Sequence, residues 1–173
     1  MHEILILYIL LKGQSTMYGV SKSISQQFGY ISNPSFGTIQ PALKRLEKKG
    51  FIKSDKFFTD GGKPYFFYSI TSEGKEFLIE KLKSKPSKNP IQLYPEILLK
   101  LTCMDILTPA DKDGLCKILK TEVMKLKNQA ETILASDFYQ DNPSGRMVLN
   151  EVVCSYKSLN DLIERLEKNA GNS

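Results

Sequence analysis

The side chains able to do covalent chemistry are few. The one histidine is His2, at a chain start expected to fray, and the three cysteines, Cys103, Cys116 and Cys154, share no C-x-x-C spacing. Metal binding and histidine-based catalysis have little to draw on. No Gly-rich phosphate loop or nucleophile–base pair is visible, so no catalytic residue, metal ligand or cofactor is assigned. The cysteines fall at apolar-patterned positions and read as buried thiols, with redox sensing as the alternative. What the sequence does supply is an ordered set of cations and small residues. In "NPSFGTIQPALKRLEKKGFI", residues 33–52, Gly37, Pro41, Lys44 and Lys48 recur at spacings that put all four on one side of a helix. Ile39, Ala42, Leu43 and Leu46 form the opposite, core-facing stripe.

Such a face suits a flat polyanion. Gly37 lets the backbone approach a groove wall or phosphate. Pro41 is tolerated if the helix begins near Thr38, because the first turn has no use for its missing N–H. The free N–H groups at that end favour an anion. Lys44 and Lys48 reach phosphates, and Gln40 offers a bidentate amide to adenine. An ordinary amphipathic helix with a solvated basic face is the alternative for the lysine pair taken alone.

The neighbouring elements supply the frame. Residues 3–12 are nearly all apolar and predict a buried helix closed by "KGQST". Ser15 or Thr16 caps a second helix over 17–28, with Val20, Ile24 and Phe28 on one side. "FIKSDKFF" and "PYFFYSI" flank "TDGGK" and predict a hairpin whose tip carries Lys63. Thr71 caps a further helix over 72–83, burying Phe77, Leu78 and Leu82. Helix, helix, helix, hairpin, helix is the order of a winged helix-turn-helix, in which the third helix enters the major groove.

"KSKPSKNP", residues 83–90, reads as a boundary between residues 1–83 and residues 91–173. Beyond it the pattern is helical, over about 91–107, 109–136 and 144–168. On the last helix Leu149, Val152, Tyr156, Leu159, Ile163 and Leu166 are spaced alternately by three and four, the mark of a helix–helix seam. A second copy of the chain is the expected occupant; packing within the chain gives the same spacing. The fold class is therefore mainly α: an α+β winged helix-turn-helix, then an all-α dimerisation domain.

Charge follows the same division. Residues 1–83 hold 12 Lys and Arg against 7 Asp and Glu, while residues 84–173 hold 12 of each. A basic half beside a neutral half suggests a polyanion-binding module joined to an assembly module. The longest apolar run, "ILILYILL", is too short to span a membrane, and no signal peptide is recognisable, so a cytoplasmic location is expected.

Together "YGVSKSI", "PSFGTIQPALKRLEKKGFI", "GGKPYFFYSIT" and "EGKEFL" resemble the PadR family of bacterial transcriptional regulators, over about residues 4–82. The resemblance implies an effector-responsive repressor, with double-stranded DNA and a second copy of the chain as partners and an effector of unknown identity. Carried over by position, Ser35, Gly37, Thr38, Pro41 and Lys44 belong to the recognition helix and Lys63 to the wing, while Tyr18 and Lys22 lie near phosphates. Gln40 stands where the family usually has Tyr, and Phe66 where a wing Lys or Arg is common. The chain has no Trp, so the Trp-based drug stacking of some members has no counterpart. A winged helix serving only protein–protein contact is the competing reading.

Overall fold

A computed structural model describes residues 1–170. The chain divides into two compact units, residues 1–106 and residues 107 onward. In the first, α1 (His2–Lys12) is the central rod: Ile4 to Leu10 are all buried, because α2, α3 and α4 surround it. β1 (Ser15–Thr16) follows, then α2 (Met17–Phe28), α3 (Phe36–Lys48), β2 (Ile52–Phe58), β3 (Pro64–Ile70) and α4 (Ser72–Lys83). The strands form one antiparallel sheet in the order β1-β3-β2, with Ile52 opposite Ile70 and Phe58 opposite Pro64.

The two-residue strand β1 is absent from the sequence reading, which took Ser15 and Thr16 only as caps. Thr16 serves both ends: its backbone pairs with Phe67, and its hydroxyl accepts from Gly19 N at 3.1 Å to start α2. His2 is not frayed either. It opens α1, with Nε2 3.2 Å from Ser32 Oγ, and burial followed by the N-terminal charge lowers its pKa.

Thr71 fastens the junction between α3, the wing and α4. Its hydroxyl accepts from Gly74 N at 3.0 Å and donates to Gly50 O at 2.7 Å. Gly50 takes φ 74°, open to glycine at little cost. Gly74 packs so closely that an added Cβ would lie 2.0 Å from Phe51 O. Leu78 and Leu82 are buried as expected, whereas Phe77 is half-buried and stacks on Phe51 with centroids 4.3 Å apart.

The 83–90 stretch does not end the first unit. Pro86 is buried, Ser87 N donates to Glu96 at 2.9 Å, and Asn89 Oδ1 accepts from Ile91 N to cap α5 (Pro90–Thr102). Lys100 of α5 is fully buried, and its ammonium donates to the carbonyls of Lys81, Leu82 and Ser84 at 2.5, 3.1 and 2.9 Å. These carbonyls lie at the end of α4, where the helix supplies no backbone donor, and Lys81 O also accepts from Ser84 Oγ at 2.8 Å. A 3-10 turn at Met104–Ile106 completes the unit, where Asp105 accepts from Tyr8 at 2.9 Å and Lys12 at 2.7 Å. The helix expected over 91–107 is thus shorter, and it belongs with the first unit.

The second unit is built on α6 (Pro109–Ala135) and α7 (Pro143–Ala170). They run antiparallel, as the ion pairs Lys120–Glu164 at 2.9 Å and Lys157–Glu131 at 3.7 Å require. Thr108 caps α6 by accepting from Asp111 N at 3.2 Å. Leu115, Leu119, Val123 and Ala130 are buried, while Ile133 is exposed. Of the anticipated α7 seam, Leu159 and Ile163 are buried within the chain, Leu149, Tyr156 and Leu166 are half-buried, and Val152 is exposed.

Cys103 and Cys116 are buried, and Cys154 is exposed on α7, so the reading of all three as buried fails at Cys154. Burial, then Asp105, pushes the Cys103 thiol up to about 12; burial, then Glu167, raises Cys116. Both are poor nucleophiles at neutral pH.

Candidate nucleic-acid interface

The recognition helix begins earlier than its proline suggests. Ser35 is the N-cap and Phe36 the first helical residue, so Pro41 is the sixth and lies beyond the first turn. An interior proline costs about 3 kcal/mol and denies a donor to the carbonyl four residues back, here that of Gly37. Both residues are on the exposed side, where water can take that carbonyl. Thr38 N and Ile39 N both donate to Ser35 O, leaving the leading N–H groups of Phe36 and Gly37 directed outward.

Ile39, Ala42, Leu43 and Leu46 are buried, which fixes the other side outward. That side carries Gly37, Gln40, Pro41, Lys44 and Lys48, all exposed; Ser35 is exposed and Thr38 half-buried. The fold makes no demand for glycine at 37: an added Cβ would meet only Ser35 Oγ, at 3.6 Å. The helix's other cations are occupied, Arg45 by Glu3 at 2.9 Å and Lys49 by the same carboxylate at 3.9 Å. Among the described residues Lys22, Lys44, Lys48 and Lys63 have no carboxylate partner.

The wing stands beside α3. Ser54 donates to the Glu47 carboxylate, so the face of β2 that carries Ser54 looks towards the recognition helix. At its tip Gly62 takes φ 72°, and Lys63 N donates to Thr59 Oγ1 at 3.1 Å, which presents the Lys63 side chain to solvent. Between wing and helix lies an open cleft of about 670 Å³ that gathers Tyr18, Gln40, Lys44 and Lys63. Lys48 continues the same face outside it; Lys22 is on α2, and Ser35, Gly37, Thr38 and Pro41 are at the helix entrance.

The cleft also holds Tyr65, Phe66 and Tyr68, which sequence reasoning did not place there. Burial, then Glu47, raises the Tyr68 phenol, keeping it a protonated donor. Phe36, half-exposed next to Tyr18, was missed too. Its signal was present: it directly follows the N-cap, one turn before Gln40.

A three-helix core, a third helix with an open basic face and a hairpin alongside define a winged helix-turn-helix. The model of the Transcriptional regulator PadR-like family matches residues 6–80. A PadR family transcription regulator from Clostridium difficile is 35% identical over 46% of this chain and 81% of its own, with a TM-score of 0.41. A transcriptional regulator from Clostridium thermocellum is 33% identical over 46% of this chain and 76% of its own, with a TM-score of 0.42. Bacillus subtilis PadR in complex with operator DNA is 19% identical over 97% of this chain and 98% of its own, with a TM-score of 0.48. No curated protein matches. The chain belongs to the PadR-like family of transcriptional regulators.

Proposed function

We propose that this chain is a sequence-specific repressor that binds an inverted-repeat operator in double-stranded DNA as a cytoplasmic homodimer and is released by a small-molecule effector. The observation that carries the DNA reading is the outward side of α3: Lys44 and Lys48 lack carboxylate partners among the described residues, and Gly37 is a glycine that the fold does not need. Phosphates take the lysines and the helix entrance, Gln40 takes a base edge, and Lys63 tracks the backbone from the wing. Tyr18, Lys22, Ser35, Thr38 and Pro41 border this surface.

Self-association is assigned to α7. Val152, with Val148 and Met147 before it, leaves an apolar strip open at 36%, 66% and 73% exposure. Two linked recognition helices would face half-sites about one helical turn apart. The effector and its release of the DNA rest on the family resemblance, and the regulator is assigned no enzymatic role.

Selection of bound genomic fragments, followed by titration of the recovered sequence against scrambled DNA, tests the reading. A preferred inverted repeat supports it. Equal affinity for all DNA, or none, overturns it in favour of a winged helix that contacts protein.

A further inference from the structure

Two exposed aromatic rings lie together at the entrance of the recognition helix. Tyr18 is the second residue of α2 and 66% exposed; Phe36 is the first of α3 and 45% exposed. Their rings are near parallel, 16° apart, with centroids separated by 6.3 Å. The Tyr18 hydroxyl has no hydrogen-bond partner among the described residues. Contiguous exposed apolar surface is where contacts form. Phe36 and Gln40 are four residues apart, hence neighbours one turn apart along one flank of α3. Tyr18 and Gln40 share the cleft. An apolar shelf made by the two stacked rings therefore adjoins an amide able to pair with a base.

We propose that the Tyr18–Phe36 shelf reads the 5-methyl group of a thymine next to the base taken by Gln40. The inference rests on the DNA-binding reading above. The thymine methyl is the apolar feature that the major-groove edge of the bases presents, and aromatic side chains pack against it. Phosphates and base amides have no complement in two uncharged ring faces; the Tyr18 hydroxyl can meet a phosphate, which leaves the faces themselves for an apolar group. The shelf makes operator preference depend on a group that forms no hydrogen bond.

Deoxyuridine tests this directly, because it removes the methyl and keeps every hydrogen-bonding atom of thymine. Each thymine of the selected operator is replaced singly and titrated with the full-length chain. Affinity is expected to fall about fourfold at one thymine, or at a symmetric pair, corresponding to burial of one methyl group. In Phe36→Ser or Tyr18→Ser the same replacement should cost nothing. Tyr18 is 66% and Phe36 45% exposed, so either variant is expected to fold, with thermal unfolding as the check, and either one suffices. A wild-type chain indifferent to every methyl overturns the inference and leaves DNA binding standing, as does a penalty that persists in both variants. A chain with no preferred sequence at all overturns the DNA reading itself, and the shelf with it.

Discussion

Replacing Gly37 by Ala separates what the fold needs from what the interface needs. The new Cβ meets only Ser35 Oγ at 3.6 Å, an ordinary contact, and Gly37 has no positive φ to lose. The folded chain accepts the methyl without strain, and the unfolded chain loses freedom. Alanine in place of glycine in a helix stabilises by roughly 0.5–1 kcal/mol. In a chain of this size that corresponds to a melting point higher by about 1–4 °C. DNA packed against the backbone would have to retreat from the added methyl, and inserting a methyl into a packed contact costs ~1–3 kcal/mol. Gly37→Ala should therefore melt higher and bind its operator roughly 5- to 150-fold more weakly. Gly74→Ala is the contrast: its Cβ would fall 2.0 Å from Phe51 O, so stability should drop by more than ~2 kcal/mol. Differential scanning calorimetry and an operator titration on the same samples provide both numbers. A Gly37→Ala protein that binds as tightly as the parent would refute the close approach.

Lys44→Glu combined with Lys48→Glu should weaken binding to every sequence and flatten its salt dependence, since each phosphate contact contributes a slope of about 0.9 in log affinity against log salt; an unchanged slope would remove α3 from the interface. Val152→Glu should shift sedimentation towards monomer while leaving the melting point close to wild type, because Val152 is 36% exposed. Leu159→Glu, at a residue only 3% exposed, should instead unfold the chain at its site, whatever the state of association. Lys100 gives a pH signature. Burial lowers it to about 8 from 10.5, so between those values the unfolded chain holds the extra proton and stability rises with pH. Lys100→Met should remove that rise, read as the difference between the two denaturation profiles across the window, and cost ~1–3 kcal/mol at neutral pH through the carbonyls it strands.

The frame of the first unit was legible because its signals are local. Aromatic and β-branched runs on either side of "TDGGK" specify the wing strands, and Thr71 announces the α4 cap. The outward side of α3 follows from the 3.6-residue period alone. Features that depend on distant partners were not legible. Pro41 argued for a late helix start, yet Ser35 begins the helix earlier, and packing of Ile39 and Leu43 holds it through the proline. Lys100 looks like any surface lysine until the end of α4 is brought to it. The spacing of Leu159 and Ile163 is the same whether the helix they meet is the chain's own or another's. Pairing of Ser15 with Tyr68 leaves no periodic trace, since two residues are too few to show alternation.

The buried ammonium of Lys100 has a consequence for how the first unit comes apart. Opening α5 withdraws the Lys100 ammonium from the carbonyls at the end of α4, so neither helix can fray far without the other. The polar stretch between them, held through Pro86 and Ser87, is spliced into the same cooperative block. Amide protons of α4 and α5 should thus exchange with one shared opening free energy rather than in two tiers. For anyone dividing the gene product into pieces, the natural cut falls after Ile106, and a protease meeting "KSKPSKNP" finds a stretch that is polar in composition but anchored in place.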